Sequence, residues 1–140
     1  MAKTSPTQLT TITLRLPWPP AINHYWRHVV IRGSVRVLLS AAGRRYRDDV
    51  LAAVLDQTEP AMRGGRLAVS LEFVMPDRRK RDIDGVIKAV LDAMQHACVY
   101  ADDNQIDHLI ATRLHVEPPG CVDVCIQELA AADAAKESER

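Results

Sequence analysis

From Thr10 the chain alternates, with Ile12, Leu14 and Leu16 on one side and Thr11, Thr13 and Arg15 on the other. A period of two predicts a half-buried strand, which Pro17 and Pro19-Pro20 stop. Ser40 is placed to cap a helix running to about Gln57, with Tyr46, Val50, Leu51, Val54 and Leu55 as its buried stripe. Alternation returns at Leu67, Val69, Leu71 and Phe73. A second helix follows, because Ile83, Val86, Ile87, Val90, Leu91 and Met94 fall in one continuous sector of a helical wheel. A third strand holds Ile110, Leu114 and Val116, and a turn at Pro118-Pro119-Gly120 leads to a fourth with Val122, Val124 and Ile126. The order β-α-β-α-β-β predicts an α+β domain, a small mixed β-sheet with two helices packed on it. The last two strands read as a hairpin.

Other segments are less patterned. Residues 1–9 are polar and read as frayed, and the Ala-rich, charged tail 129–140 as loose or weakly helical. Residues 1–128 are then expected to form a single domain. The segment from Ala21 to Ser40 contains, around Arg32, Gly33 and Arg36, a stretch that reads as a mobile flap or a short hairpin. It sets Tyr25 and Trp26 among His24, Arg27 and His28, a mixture that suits base stacking with phosphate contact. The same aromatics would serve as well to plug a core.

Composition narrows the class. No apolar run approaches a membrane span, and the N-terminus lacks the basic-then-apolar layout of a signal peptide, so a cytoplasmic location is expected. Cys98, Cys121 and Cys125 are sparse and odd in number, which suits reduced thiols. No C-x2-C pair supports zinc. Formal net charge is zero, but its distribution is lopsided. Residues 1–90 carry 15 Lys and Arg against 8 Asp and Glu, whereas residues 91–140 carry 3 against 10. That asymmetry points to one basic face suited to nucleic acid.

The chemistry concentrates between Met75 and Cys98. Four consecutive cations, Arg78, Arg79, Lys80 and Arg81, precede Asp82 and Asp84, and Lys88 follows one turn along the second helix beside Asp84. Asp82 and Asp84 suit N-capping and the helix dipole, and an Asp84–Lys88 pair supports a helix. The same acids also suit a metal. Hydrolysing a phosphodiester requires neutralising a pentavalent phosphorane and activating water, and carboxylates holding Mg²⁺ do both. Asp102 and Asp103 supply the remaining candidates, although Asp102-Asp103-Asn104 also reads as a plain turn. Lys88 is placed to donate to the scissile phosphate or its leaving oxygen. There is no Gly-rich phosphate loop and no Ser or Cys nucleophile in a recognisable context.

Four blocks, LPWPPAINHYWRH, LSAAGRRYRDDV, MPDRRKRDIDGVIKAVLDAM and VYADDNQI, resemble the RusA family of Holliday-junction resolvases, the phage and prophage crossover-junction endodeoxyribonucleases. The resemblance runs from about Thr13 to Ile126. It implies that Asp82, Asp84 and Asp103 bind the metal, Mg²⁺ with Mn²⁺ as a substitute, and that Lys88 is the catalytic lysine. It further implies that Arg81 and its basic neighbours Arg78, Arg79 and Lys80 hold DNA; Arg27, His28, Tyr25 and Trp26 join them as candidate contacts on the aromatic and cationic pattern alone. The partner would be a four-way DNA junction, cut by a homodimer in paired symmetric nicks that leave 5′-phosphate and 3′-hydroxyl ends. One position departs: the family usually reads D-[IL]-D-N, and this chain has Gly85 where Asn stands. A catalytically weakened junction-binding protein is the alternative that this departure raises. A nucleotide phosphohydrolase is a third reading.

Overall fold

A computed structural model describes residues 9–59 and 63–130 of the 140-residue chain. The expectations for residues 1–8 and for 131–140 of the tail lie outside the described residues.

The first strand, β1 (Thr11–Pro17), buries Leu14 and Leu16 as its alternation requires. A one-turn helix, α1 (Ile22–Tyr25), follows the prolines. It leads into a hairpin of β2 (Trp26–Ile31) and β3 (Ser34–Leu39), which form a separate two-stranded sheet. Of the two readings left open for this segment, the hairpin is the one adopted. Helix α2 (Ala41–Gln57) begins where Ser40 Oγ accepts the Gly43 N–H at 2.9 Å, the expected cap. Strand β4 (Leu67–Met75), helix α3 (Asp84–His96), a 3₁₀ turn (Asp103–Gln105), β5 (Ile106–Val116) and β6 (Cys121–Glu128) complete the order.

The main sheet runs β1-β6-β4-β5. Strand β4 pairs antiparallel with β6 and parallel with β5, so the sheet is mixed as expected. The last two strands are not a hairpin. A parallel return after β4 and α3 seats β5 on one flank of β4, since strands joined through a helix align in parallel. The turn after β5 then carries the chain past the end of β4 to its other flank. Glu117 N–H donates to the Met75 carbonyl at 2.8 Å on the way. Gly120, at φ 84°, closes this passage, and a Cβ there would lie 2.9 Å from Pro76 N.

One core joins the layers. Leu16, Leu67, Leu71, Phe73, Val122 and Ile126 from the sheet meet Tyr46 and Val50 of α2 and Val90 and Met94 of α3. Each such side chain contributes about 1.5–3 kcal/mol by leaving water. The α2 stripe is narrower than expected: the buried line runs through Tyr46, Val50 and Val54, and Leu55, one position round the helix, is 55% exposed. Buried hydroxyls are satisfied, Tyr46 Oη donating to the Pro17 carbonyl at 2.9 Å and Tyr100 Oη to the Leu91 carbonyl at 2.6 Å.

Candidate metal and nucleic-acid site

The site is assembled where β4 ends. Asp77 folds the basic loop onto itself: its carboxylate accepts the Arg79 N–H at 2.9 Å and pairs with the Arg81 guanidinium, whose Nη2 lies 3.0 Å from Oδ2. These contacts, Arg81 foremost, hold the Asp77 carboxyl at about 2, well below the ordinary carboxylate range. Arg81 also lies over the Trp18 ring at 5.9 Å, and its carbonyl accepts from Arg113. Arg81 thus organises the loop, while Arg78, Arg79 and Lys80 stand exposed.

Asp82 and Asp84 are exposed at the start of α3, and neither caps it. The cap position is Ile83, in helical conformation, and the Asp82 backbone carbonyl receives the Gly85 N–H at 3.2 Å. Among the described residues neither carboxylate makes a side-chain hydrogen bond or an ion pair. Both line an open depression whose other walls include Trp18, Asn23, Lys80 and Gly85. A Cβ at Gly85 would meet nothing within 4 Å, so the position has room for a side chain.

Lys88 does not pair with Asp84. Its Nζ sits 2.7 Å from Asp103 Oδ2, because the 3₁₀ turn brings Asp103 against the same helix face. The two acids of that turn have separate duties. Asp102 caps it, its Oδ1 accepting the Asn104 N–H at 2.9 Å, while Gln105 Oε1 returns a bond to the Asp102 N–H at 3.0 Å. Asp103 faces α3, and Gln95 Oε1 accepts its backbone N–H at 3.0 Å. Gln105 Nε2 further ties the turn to the Arg63 and Gly65 carbonyls at 3.0 and 2.8 Å. Gln95 and Gln105 escape a sequence reading because their partners are backbone groups.

Among the described residues no three His, Cys, Asp or Glu side chains form a ready-made cage for a metal. The donor set still suits a hard divalent ion. Mg²⁺ prefers oxygen, binds through one or two carboxylates and keeps several waters, so it needs no closed cage. Asp82 and Asp84 offer such oxygens unpaired, and Asp103 reaches the same helix through Lys88.

The four further candidates for DNA contact divide. Arg27 and His28 are exposed on β2. Tyr25 is not available for base stacking. Its ring is fully buried and its hydroxyl is bonded to Asp92, which also receives Arg47 Nη2 at 2.7 Å. Burial and the Asp92 hydrogen bond together push the Tyr25 phenol far up. Trp26 is half-buried, edge-on to Tyr25 at 5.0 Å. The core-plug reading holds for Tyr25, which locks α1 to α2 and α3.

An α+β fold with two acids at a helix start, unpaired among the described residues and beside exposed cations, has the donors of a metal-assisted nuclease. The family model for the endodeoxyribonuclease RusA matches residues 17–127. The crossover junction endodeoxyribonuclease RusA of Escherichia coli strain K12 is 34% identical over 121 residues, spanning 86% of this chain and 98% of that protein. The crossover junction endodeoxyribonuclease of Enterobacteria phage HK97 is 35% identical over 114 residues, spanning 81% and 92%. That of Enterobacteria phage 82 is 34% identical over 121 residues, spanning 86% and 98%. The chain belongs to the RusA family of endodeoxyribonucleases.

Proposed function

We propose that this protein is a Mg²⁺-dependent endonuclease, with Mn²⁺ able to substitute, that resolves four-way DNA junctions in recombination and repair. It acts in the cytoplasm as a homodimer with one site per subunit, nicking symmetric strands. Residues 1–128 serve as one domain. The observation that carries this reading is the pair Asp82 and Asp84, exposed, capping nothing and unpaired among the described residues, separated only by Arg81 from three exposed cations.

Asp82, Asp84 and Asp103 would hold the metal, which supplies charge neutralisation at the phosphate and an activated water. Arg78, Arg79 and Lys80 attract the phosphate backbone and set the strand across the depression. Lys88 is a donor at the developing charge on the phosphate or the leaving oxygen. When Lys88 turns to the phosphate it releases the Asp103 carboxylate, so both groups reach their working positions in one movement.

The test is cleavage of a synthetic four-way junction with Mg²⁺, against linear duplex of equal length. The wild-type chain should cut the junction preferentially, and Asp82→Asn should bind it while cutting on the order of 100-fold more slowly. Equal cutting by that variant rejects the metal assignment, and equal cutting of linear duplex rejects junction selectivity. The second reading, a weakened junction-binding protein, rests on Gly85 and the space around it. It calls for a wild-type chain that binds without cutting, and for cutting gained by Gly85→Asn.

A further inference from the structure

The β2–β3 hairpin stands outside the main sheet. Two strands alone are marginal in water, so a free hairpin of this kind is built to meet something. Its tip is a two-residue turn between the paired Ile31 and Ser34, with Arg32 at φ 51° and Gly33 at φ 78°. Positive φ at both central residues defines the tight turn that fits strand twist, and Asn, Asp or Gly normally fills the first position. Arginine there is strained, and strain held in an exposed residue directs attention to what that residue touches.

Cross-strand register assigns the two faces. Val30 opposes Val35 and His28 opposes Val37, so these side chains share one face, with Trp26 and Leu39 at its root. Val30, Val35 and Val37 are 72%, 67% and 55% exposed. Arg27 and Arg36 lie on the opposite face with Val29. No acid occurs anywhere in residues 1–47, which hold eight Lys and Arg. The hairpin leaves directly from α1, whose Ile22 and Asn23 wall the depression that holds Asp82 and Asp84. Strands of six residues reach about 20 Å from that rim.

We propose that this hairpin is a wedge for the branch point of a DNA junction. Arg32 and Arg36 engage phosphates, and the Val30–Val35 pair lies against bases that the junction leaves easily unstacked. Cationic flanks around exposed aliphatic side chains are the means by which proteins open base steps. A second copy of this chain fits less well: Val30, Val35 and Val37 are exposed on one face and Ile31 and Leu38 on the other, so neither face supplies the roughly 800 Å² per partner of a stable interface. The proposal rests on the junction reading above and gives it a source of branch selectivity.

The experiment uses a four-way junction carrying 2-aminopurine at the branch, mixed with the full chain without divalent ion so that nothing is cut. Wild type should raise the fluorescence severalfold as the base unstacks. The double variant Val30→Ser/Val35→Ser, altered only at exposed positions, should bind within about threefold of wild type without the rise. Arg32→Gly should weaken binding and lower the salt slope by about one. A rise undiminished in the valine variant overturns the wedge, as does a halved sedimentation mass for that variant, which assigns the face to a second copy. Absence of any junction binding by wild type removes the junction reading itself, whereas binding without a rise in wild type removes the wedge alone.

Discussion

Adjacent residues of identical type carry different work here, and only their partners tell them apart. Asp102 and Asp103 are indistinguishable as letters, yet one closes a turn and the other faces α3. Asp77 shows the same dependence on surroundings. A carboxyl ordinarily near 3.8 is held at about 2 by Arg81 and by the Arg79 N–H. Because the folded-state value is depressed, its contribution to holding the loop is fully present above pH 3.8. It is lost as pH falls through about 2. A ¹³C NMR titration of the Asp77 carboxyl should show a midpoint near 2 that returns to the ordinary range in Arg81→Ala; an unmoved midpoint would mean that the pair does not form in solution. The Tyr25 ring was only half legible as a core residue, because an aromatic among cations has the same composition whether it stacks on bases or, as here, meets a half-buried Arg–Asp pair.

Helix α3 was legible almost completely, since its apolar sector is continuous and nothing competes with it. Its opposite face is a column in which Asp84 has no partner among the described residues, Lys88 takes Asp103, Asp92 takes Tyr25 and Arg47, and Gln95 takes the Asp103 backbone. Spacing put these residues on one line but could not assign their partners, which come from other elements. Gln95 is a positioning residue on this view. Gln95→Ala should raise the Mg²⁺ concentration for half-maximal cutting and slow cutting by about tenfold, with thermal unfolding little changed. Metal dependence identical to wild type would show that the turn holds its place without Gln95. The β2–β3 hairpin was only half legible: Val35 and Val37 alternate but Val29 and Val30 do not, and Val30, Val35 and Val37 stand exposed, so the pattern that marks a strand by burial was missing.

At the scale of the molecule, the sheet order depends on connections that span the whole chain. The strand–helix–strand path from β4 through α3 forces a parallel neighbour, and the short turn after β5 then has to cross β4 instead of folding back. A Pro-Pro-Gly turn between two apolar strands signals a hairpin locally, and the crossover overrides it. The result sets the basic loop after β4 directly before α3 and seats the turn before β5 against α3 at Lys88. Junction cleavage under single-turnover conditions by Asp102→Asn and Asp103→Asn, measured side by side, tests that arrangement most directly. Asparagine can still cap the turn at 102 but removes at 103 the charge proposed to hold the metal. The account predicts cutting within about threefold of wild type for the first and a loss on the order of 100-fold for the second, with junction binding retained by both; an Asp103→Asn chain that cuts as fast as wild type would contradict it.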